Sequence, residues 1–170
     1  MSETLEPALP DPLDEQAEKL MHRLCDRKLR LATAESCTGG ILAALLTDIE
    51  GASHGFERGF VTYSEDSKAE VLGIERSLLQ HNEAVSEGVA RAMAEGTLKR
   101  SGADIALAVT GFAGPAGPEH EEGLVHFALA WRGRQTVHRK KHFGAVGRGK
   151  VRVNSLEVLL EMLEKVTDQA

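Results

Sequence analysis

A serine followed closely by two glycines is the first segment of the chain that could do chemistry. Residues 36–40 (SCTGG) separate one apolar segment, residues 29–34 (LRLATA), from another, residues 41–46 (ILAALL). The first predicts a buried strand and the second a helix, so the polar residues occupy a strand-to-helix turn. A serine there has an accessible hydroxyl, nearby backbone donors for an oxyanion and a favourable helix dipole. Ser36 is therefore a candidate nucleophile, with a helix N-cap as the alternative interpretation.

Cys37 is a rival nucleophile, because a thiol at a helix N-terminus can have a lowered pKa. The alternative is a small buried hydrophobic side chain. The only other cysteine is Cys25, and without a CxxC pair we predict neither a disulfide framework nor structural zinc. The chain also lacks an HExxH motif, and residues 120–122 (HEE) are typical of a solvated loop, so we predict no metal site.

A serine hydroxyl needs a neighbouring base to take its proton. None of the seven histidines has the sequence context of a triad partner. Lys68, in a predicted helix over residues 65–72, could act as a base if it is desolvated, with a solvated helix lysine as the alternative. Tyr63 ends the preceding predicted strand and could orient or relay a proton. Its alternative is a half-buried aromatic residue of the sheet.

Two further segments could hold a ligand. Thr110 and Gly111 follow an apolar strand, and open α/β sheets bind ligands at the carboxyl ends of their strands; an ordinary turn is the alternative. Residues 132–152 contain eight cations and no acid, which could bind phosphate or could form a solvated face. These cations are Arg132, Arg134, Arg139, Lys140, Lys141, Arg148, Lys150 and Arg152.

Strands alternate with helices along the chain and a hairpin comes near its end. This order predicts a three-layer α/β sandwich in which helices cover a mixed, mostly parallel sheet. The predicted helices cover residues 15–25, 41–46, 65–72, 86–100 and 146–166; the predicted strands cover residues 29–34, 60–63, 104–110, 124–131 and 135–142. Gly73 should end one helix and Ser86 should cap another. Residues 111–123, with four glycines and two prolines, predict a loop.

The composition predicts one globular domain. The chain has 170 residues, 42% hydrophobic and 27% charged, and we expect a flexible lead-in over residues 1–13 before a domain over 14–170. The net charge of −6 argues against binding nucleic acid or an anionic membrane over the whole surface. Without a signal-peptide pattern or an apolar run near the roughly 20 residues of a membrane span, we expect a cytoplasmic protein.

Taken together, six ordered segments closely resemble the CinA C-terminal domain family, over about residues 15 to 165. They are AESCTGG (34–40), FERGFVTYS followed by Lys68 (56–68), AVSEGVA (84–90), SGADIALAVTGFAGP (101–115), GLVHFALA (123–130) and RGKVR (148–152). Several motifs in the right order and at matching separations are more specific than any one of them. The chain is identified on this basis as a member of the family.

The resemblance implies an activity and the residues that carry it. Family members are metal-free, cofactor-free serine amidases that assemble as homo-oligomers and convert nicotinamide mononucleotide and water into nicotinate mononucleotide and ammonia, feeding pyridine-nucleotide recycling to NAD. By this resemblance Ser36 is the nucleophile, and Lys68 assisted by Tyr63 is the base. Amides near Thr38 to Gly40 would hold the oxyanion.

The resemblance also implies substrate contacts from the turn that contains Cys37, Thr38, Gly39 and Gly40, from Thr110 and Gly111, and from Arg148 or Arg152 to the phosphate. Longer members carry an additional nucleotide-cleaving domain, so we expect no pyrophosphatase activity here.

The loop over residues 114–123 (GPAGPEHEEG) is shorter and more acidic than the family's pattern and lacks its lysine. It leaves open a catalytically weak or inactive nucleotide-binding or regulatory module. A nucleic-acid-associated protein is a third hypothesis, which the basic segment supports and the net charge opposes.

Overall fold

The computed structural model describes residues 9–82 and 84–169, in which helices alternate with strands. The helices are α1 (Asp11–Asp26), α2 (Ile41–Thr47), α3 (Glu65–Leu72), α4 (Arg76–Asn82), α5 (Glu87–Arg100) and α6 (Arg148–Asp168). The strands are β1 (Leu31–Glu35), β2 (Phe56–Val61), β3 (Ile105–Gly111), β4 (Leu124–Trp131) and β5 (Val137–His142). No helix in the described ranges is long and apolar enough to cross a membrane.

The five strands form one mixed sheet in the order β2-β1-β3-β4-β5. β1 pairs in parallel with both β2 and β3, whereas β4 pairs antiparallel with β3 and β5. The expected mixed sheet with helices on both faces is confirmed. The sheet is not mostly parallel, however, because two of its strand pairs are parallel and two are antiparallel. The β4–β5 hairpin accounts for both antiparallel pairs.

Two hydrophobic cores lie on the two faces of the sheet. The first joins α1, α2 and α6 to the sheet, and the second joins α3, α4 and α5 to it. β1, β3 and β4 are almost completely buried because they lie between these layers, which explains their nearly continuous apolar sequences. This arrangement is the three-layer α/β sandwich that the sequence predicts.

Small side chains let α5 pack closely on the sheet and on α3. The strands present alanines to it, among them Ala34, Ala108 and Ala128. On the helix itself, a Cβ at Gly96 would overlap the carbonyl oxygen of Leu72, the last residue of α3. Glycine is therefore required at this contact by the distance between the two helices.

Helix α1 begins at Asp11, four residues before the start predicted at residue 15. Pro10 precedes α1, a favoured place for proline just before or within a first helical turn, and Leu9 and Leu13 are buried in the first core. These two leucines are isolated among acids and prolines, so periodicity gave no signal for them. The rest of the predicted lead-in, residues 1–8, lies outside the described residues.

Local capping signals gave the most accurate element boundaries. The predicted helix over 65–72 is confirmed as α3, and Gly73 ends it with φ +70°. The hydroxyl of Ser86 accepts a hydrogen bond from the Val89 amide and caps α5 as predicted. Other elements differ: β2 begins four residues earlier than predicted and ends before Tyr63, and α4 was not predicted.

Candidate active site

The side chain of Lys68 is completely buried and reaches Ser36. Its Nζ lies 3.0 Å from the Ser36 Oγ, and it donates hydrogen bonds to the carbonyl oxygens of Thr62, at 3.0 Å, and Tyr63, at 3.1 Å. Lys68 has no exposed surface. The interpretation as a solvated helix lysine is therefore wrong, and the structure places the proposed nucleophile and base in contact.

Three elements converge to make this contact. Ser36 directly follows β1, and its amide donates to the Val109 carbonyl of β3. The Thr62 amide donates to the Glu35 carbonyl at 2.9 Å, which holds the end of β2 beside the end of β1. Ser64 then caps α3 by accepting from the Ser67 amide, and this start places Lys68 one turn into the helix.

Burial lowers the pKa of the Lys68 ammonium, because the charged form loses its hydration, while Cys37 and Glu65 oppose the shift. A neutral amine has two hydrogens and one lone pair. In this neutral form the carbonyls of Thr62 and Tyr63 would accept the two hydrogens, and the lone pair would face the Ser36 hydroxyl. This is the arrangement that a general base requires: an uncharged acceptor within hydrogen-bond reach of the proton it removes.

The turn after β1 is organised by Glu35, which the sequence reasoning missed. Its buried carboxylate accepts hydrogen bonds from the amides of Gly40, Leu42 and Ala43 at 3.1, 3.1 and 2.8 Å. The carboxylate thus satisfies the free amides at the N-terminus of α2. A signal was present, since an acid directly ends a fully buried strand before the glycines. Ser36 does not cap α2; the N-cap position is Gly40, with φ +99°.

Some backbone amides of the nucleophile turn are already used in hydrogen bonds. The Gly39 amide donates to the Ser36 carbonyl and the Gly40 amide to Glu35, so both are already used. Among the residues described, the amides of Cys37 and Thr38 are the donors of this turn that have no acceptor. An oxyanion site formed by amides near Thr38 to Gly40 stays a prediction, and the bonds already made by Gly39 and Gly40 favour Cys37 and Thr38 as its donors.

Cys37 is buried beside the nucleophile. Burial raises the pKa of its thiol to about 12, because the thiolate would lose its hydration. Its sulfur is therefore protonated at neutral pH, which favours the interpretation as a small buried side chain. Its backbone carbonyl still has a role, described below with Arg152.

Tyr63 contributes to the site through its backbone. Its carbonyl accepts a hydrogen bond from Lys68, whereas its side chain is 66% exposed beyond the end of β2. The interpretation as a half-buried sheet aromatic is wrong. Assistance of Lys68 by the phenol stays a prediction.

Thr110 and Gly111 lie beside the nucleophile for structural reasons that the sequence did not reveal. The Thr110 hydroxyl donates to the Ala84 carbonyl at 2.6 Å, which fixes the segment before α5 against β3. A Cβ at Gly111 would come within 2.8 Å of the Leu124 carbonyl, so the adjacent strand requires the glycine. Their predicted contacts with substrate stay predictions.

The first turns of α6 bring two arginines to the same edge. The Arg152 Nε donates to the Cys37 carbonyl at 2.9 Å, and a Cβ at Gly39 would lie 3.4 Å from its guanidinium. Arg148 lies on the same helix face, four residues earlier, and packs closely against Gly114 of the loop after β3. A positively charged edge therefore begins directly beside the nucleophile turn.

The described residues contain no group of three or more histidine, cysteine, aspartate or glutamate side chains that could hold a metal ion. The predicted cation segment over residues 132–152 is divided by the fold. Of the two α6 arginines, Arg152 contacts the nucleophile turn and Arg148 contacts the loop after β3. Arg132 donates to carbonyls of residues 98, 101 and 103 at the opposite end of the sheet.

A sequence model of the family described as the CinA C-terminal domain matches residues 13–167. The chain belongs to this family. The match covers β1 to α6, including every element that positions Ser36 and Lys68. The resemblance inferred from the six motifs is thereby confirmed.

Curated relatives extend this match. A CinA-like protein of Akkermansia muciniphila is 53% identical over 115 residues, which are 66% of this chain and 28% of that protein. A CinA-like protein of Syntrophus aciditrophicus is 47% identical over 144 residues, or 84% of this chain and 34% of that protein. The chain spans about a third of the length of these relatives.

Solved structures of similar proteins share the whole fold. The competence/damage inducible protein CihA of Agrobacterium tumefaciens gives a TM-score of 0.90 at 40% identity, over 97% of this chain and 98% of that one. The competence damage-inducible protein A (ComA) of Klebsiella pneumoniae gives 0.85 at 38% identity, over 91% and 96%. The CinA domain described here therefore has the architecture of its solved relatives.

Proposed function

We propose that this CinA domain is a serine amidohydrolase that converts nicotinamide mononucleotide and water into nicotinate mononucleotide and ammonia. The observation that carries the proposal is the buried Nζ of Lys68, which bonds two carbonyls and lies 3.0 Å from the Ser36 Oγ. The substrate is inferred from the family resemblance, with support from the arginines beside the nucleophile turn.

In the first half-reaction Lys68 takes the proton of Ser36 while the Oγ attacks the carboxamide carbon. The carbonyl oxygen becomes an oxyanion, which the amides of Cys37 and Thr38 would stabilise. Protonated Lys68 keeps its two carbonyl acceptors and gains a third hydrogen. It donates this hydrogen to the amide nitrogen as the carbon–nitrogen bond breaks, and ammonia leaves.

In the second half-reaction a water molecule occupies the position that ammonia vacates. Lys68, neutral again, removes a proton from this water, and the resulting hydroxide attacks the acyl ester of Ser36. Collapse of the second tetrahedral intermediate returns the proton to the Ser36 Oγ and releases the nicotinate carboxylate. One lysine thus serves both steps, alternating between base and acid.

The phosphate of the substrate is assigned to the arginine edge. Arg152 approaches the nucleophile turn through its bond to the Cys37 carbonyl, and Arg148 lies one helical turn away by Gly114. Guanidinium groups suit phosphate because they donate several hydrogen bonds in a plane. As parts of this proposal, the domain works in the cytoplasm as a homo-oligomer and requires no metal or organic cofactor.

The proposal is tested by incubating the purified chain with nicotinamide mononucleotide and measuring ammonia and nicotinate mononucleotide by coupled assay and chromatography. Equal amounts of the two products are expected. Release of nicotinamide instead would mean that the glycosidic bond is cleaved. That outcome would contradict the proposal.

A second candidate, a nucleotide-binding module without turnover, is favoured by the acidic loop near Arg148. Glu119 and Glu121 are exposed there. Calorimetric binding of the nucleotide without any ammonia release would select this candidate over the amidase.

A further inference from the structure

A pair of stacked histidines lies on the sheet outside the residues assigned so far. The Nδ1 of His126, on β4, is 3.0 Å from the Nε2 of His138, on β5. The Nδ1 of His138 is 3.4 Å from an oxygen of Glu87, in the first turn of α5. Arg91 donates to the other oxygen of Glu87 at 2.8 Å. The four side chains form one continuous chain of polar contacts.

This cluster shares a face of the sheet with the nucleophile. Ala34, Ala108 and Ala128 belong to the core beneath α5, and side chains two residues along a strand return to the same face. Thr110 pairs with His126, and Ser36 comes one residue after the pair Glu35–Val109. Ser36, Thr110 and His126 therefore form a row across adjacent strands, which places His126 about 10 Å from Ser36, or two strand spacings.

Glu87 favours one arrangement of the hydrogens on the two rings. The Arg91 contact lowers the pKa of the Glu87 carboxyl, which keeps it an acceptor. The carboxylate lies 3.4 Å from the Nδ1 of His138 and favours a hydrogen on that nitrogen, which leaves its Nε2 as an acceptor. That acceptor in turn requires a hydrogen on the Nδ1 of His126. The Nε2 of His126 is then left with a bare lone pair.

Burial disfavours the charged form of both rings. Burial lowers the pKa of His126 to about 4, and the nearby charge of Lys140 acts in the same direction. Burial also lowers the pKa of His138, while Glu87 opposes the shift. When both rings are neutral, the hydrogen bonds along Glu87, His138 and His126 all run in one donor-to-acceptor direction, and the carboxylate of Glu87 sets that direction.

The Nε2 of His126 is open to a ligand. Within the described ranges it has no hydrogen-bond partner, and it is not among the fully enclosed side-chain atoms that lack one. His126 is 8% exposed, so the remaining access is narrow. A group that reaches this atom must donate a hydrogen bond.

We propose that the Nε2 of His126 accepts a hydrogen bond from a ribose hydroxyl of the nucleotide, and that His138 and Glu87 are positioning residues that fix its tautomer. The inference rests on the proposed function. The carboxamide is held at Ser36, about 10 Å away. Phosphate oxygens are acceptors that a bare lone pair repels, so of the three parts of the substrate only the sugar supplies a suitable donor.

Binding is measured by calorimetry in a Ser36→Ala background, so that no turnover interferes. The ligands are nicotinamide mononucleotide and its 2′-deoxy and 3′-deoxy analogues. His126→Phe should weaken binding of the full nucleotide roughly tenfold, the effect of one neutral hydrogen bond. For the deoxy analogue that lacks the contacted hydroxyl, His126→Phe should leave binding unchanged. The substitution and the missing hydroxyl remove the same hydrogen bond, so their effects do not add. His126→Gln, which keeps an acceptor, should restore part of the loss.

His54→Phe, in an exposed loop, is the matched control and should change nothing. A readout of the positioning role comes from ¹⁵N resonances of the imidazoles. They should show an unprotonated Nε2 on His126 that becomes a tautomer mixture in Glu87→Leu.

An equal loss on all three ligands, or no loss on any, would overturn the inference even if ammonia is released normally. Binding with the expected coupling but without ammonia release would support the inference and defeat the proposed amidase. No binding of any ligand would overturn both.

Discussion

The two ends of the proposed substrate meet regions of opposite character. The nucleophile corner, formed by Glu35, Ser36 and Lys68, is buried, with exposures of 0%, 7% and 0%. The arginine edge, formed by Arg148, Arg152 and the loop 114–123, lies largely open to solvent. The nucleophile corner has few charged groups, and these are held in fixed contacts. The arginine edge has many charges on flexible side chains.

The difference indicates where each kind of selectivity resides. In the buried corner each polar atom has a defined partner, and a lost partner cannot be replaced by water. At the open edge water and salt screen the charges, so each contact contributes less. Substitutions should therefore have large effects on turnover in the nucleophile corner and small effects on apparent affinity at the arginine edge.

The largest effect is expected from Ser36→Ala, which removes the nucleophile. Ammonia release should be abolished, because no other described group at this position can form the acyl intermediate. Stability should fall by only about 1 kcal/mol, the usual value of one hydrogen bond. The measurements are ammonia release and chemical denaturation. Cys37→Ala is the neighbouring control and should retain activity; an inactive cysteine variant beside an active serine variant would reverse the assignment.

Lys68→Met should lower turnover by about 10²- to 10⁴-fold, the contribution of a general base. Because burial lowers the pKa of Lys68, wild-type kcat/KM should fall as pH drops through that lowered pKa, and this acid limb should disappear in the variant. The pH–rate profiles of both proteins measure this.

The same pKa shift sets the sign of a stability difference. The unfolded chain binds this proton up to pH values near 10.5 and the folded chain releases it earlier, so the unfolding free energy of wild type should rise with pH relative to the variant. Lys99→Met, on the exposed face of α5, should show neither effect. Exhaustive chelation with EDTA should leave wild-type activity intact, and activity restored by a divalent ion would contradict the mechanism.

An intermediate effect is expected from Glu35→Gln, which keeps the shape but replaces one carboxylate oxygen with a donor. The amides of Gly40 and Leu42, which share one oxygen, or the amide of Ala43, which bonds the other, then lose an acceptor at a cost of about 1–3 kcal/mol. Thermal unfolding measures the loss. Glu157→Gln, exposed on α6, controls for the change in charge and should leave the melting temperature within a degree or two. An unchanged melting temperature in Glu35→Gln would mean that the contacts between strands hold the turn without the carboxylate.

The smallest effects are expected at the arginine edge. Arg148→Gln or Arg152→Gln should raise KM for nicotinamide mononucleotide several-fold and leave KM for the dephosphorylated riboside nearly unchanged. Replacing Glu119, Glu121 and Glu122 together with glutamine should act in the opposite direction, because it removes negative charge near the phosphate. The measurement is the KM of each variant for the nucleotide and for the riboside, from steady-state kinetics. Equal changes on the two would show that neither the arginines nor the loop senses the phosphate.

The sequence predicted best the features that neighbouring residues determine. Ser86 and Gly73 mark helix ends because their capping contacts lie within a few residues. β2 was placed too late because it is an edge strand with an exposed, charged sequence. The short α4 directly follows α3, and no capping residue announced it.

The candidate site was predicted in residue type but not in environment. Lys68 was a candidate base from spacing and resemblance, yet its burial depends on β2 and β1 meeting beneath α3. Glu35 and His126 were missed because their roles need backbone amides and strand registers that distant segments supply. Such roles arise from the sheet and cannot be found from local periodicity.

The glycine at position 96 has a consequence for evolution of the site. A single methyl group there has no room against the Leu72 carbonyl, so α3 would have to move outward, and Lys68 is carried on that helix. Gly96 therefore acts as a spacer for the distance between base and nucleophile, although it contacts neither. A lineage that drifted to alanine at this position would keep Ser36, Lys68 and every motif intact while losing the alignment that those residues need.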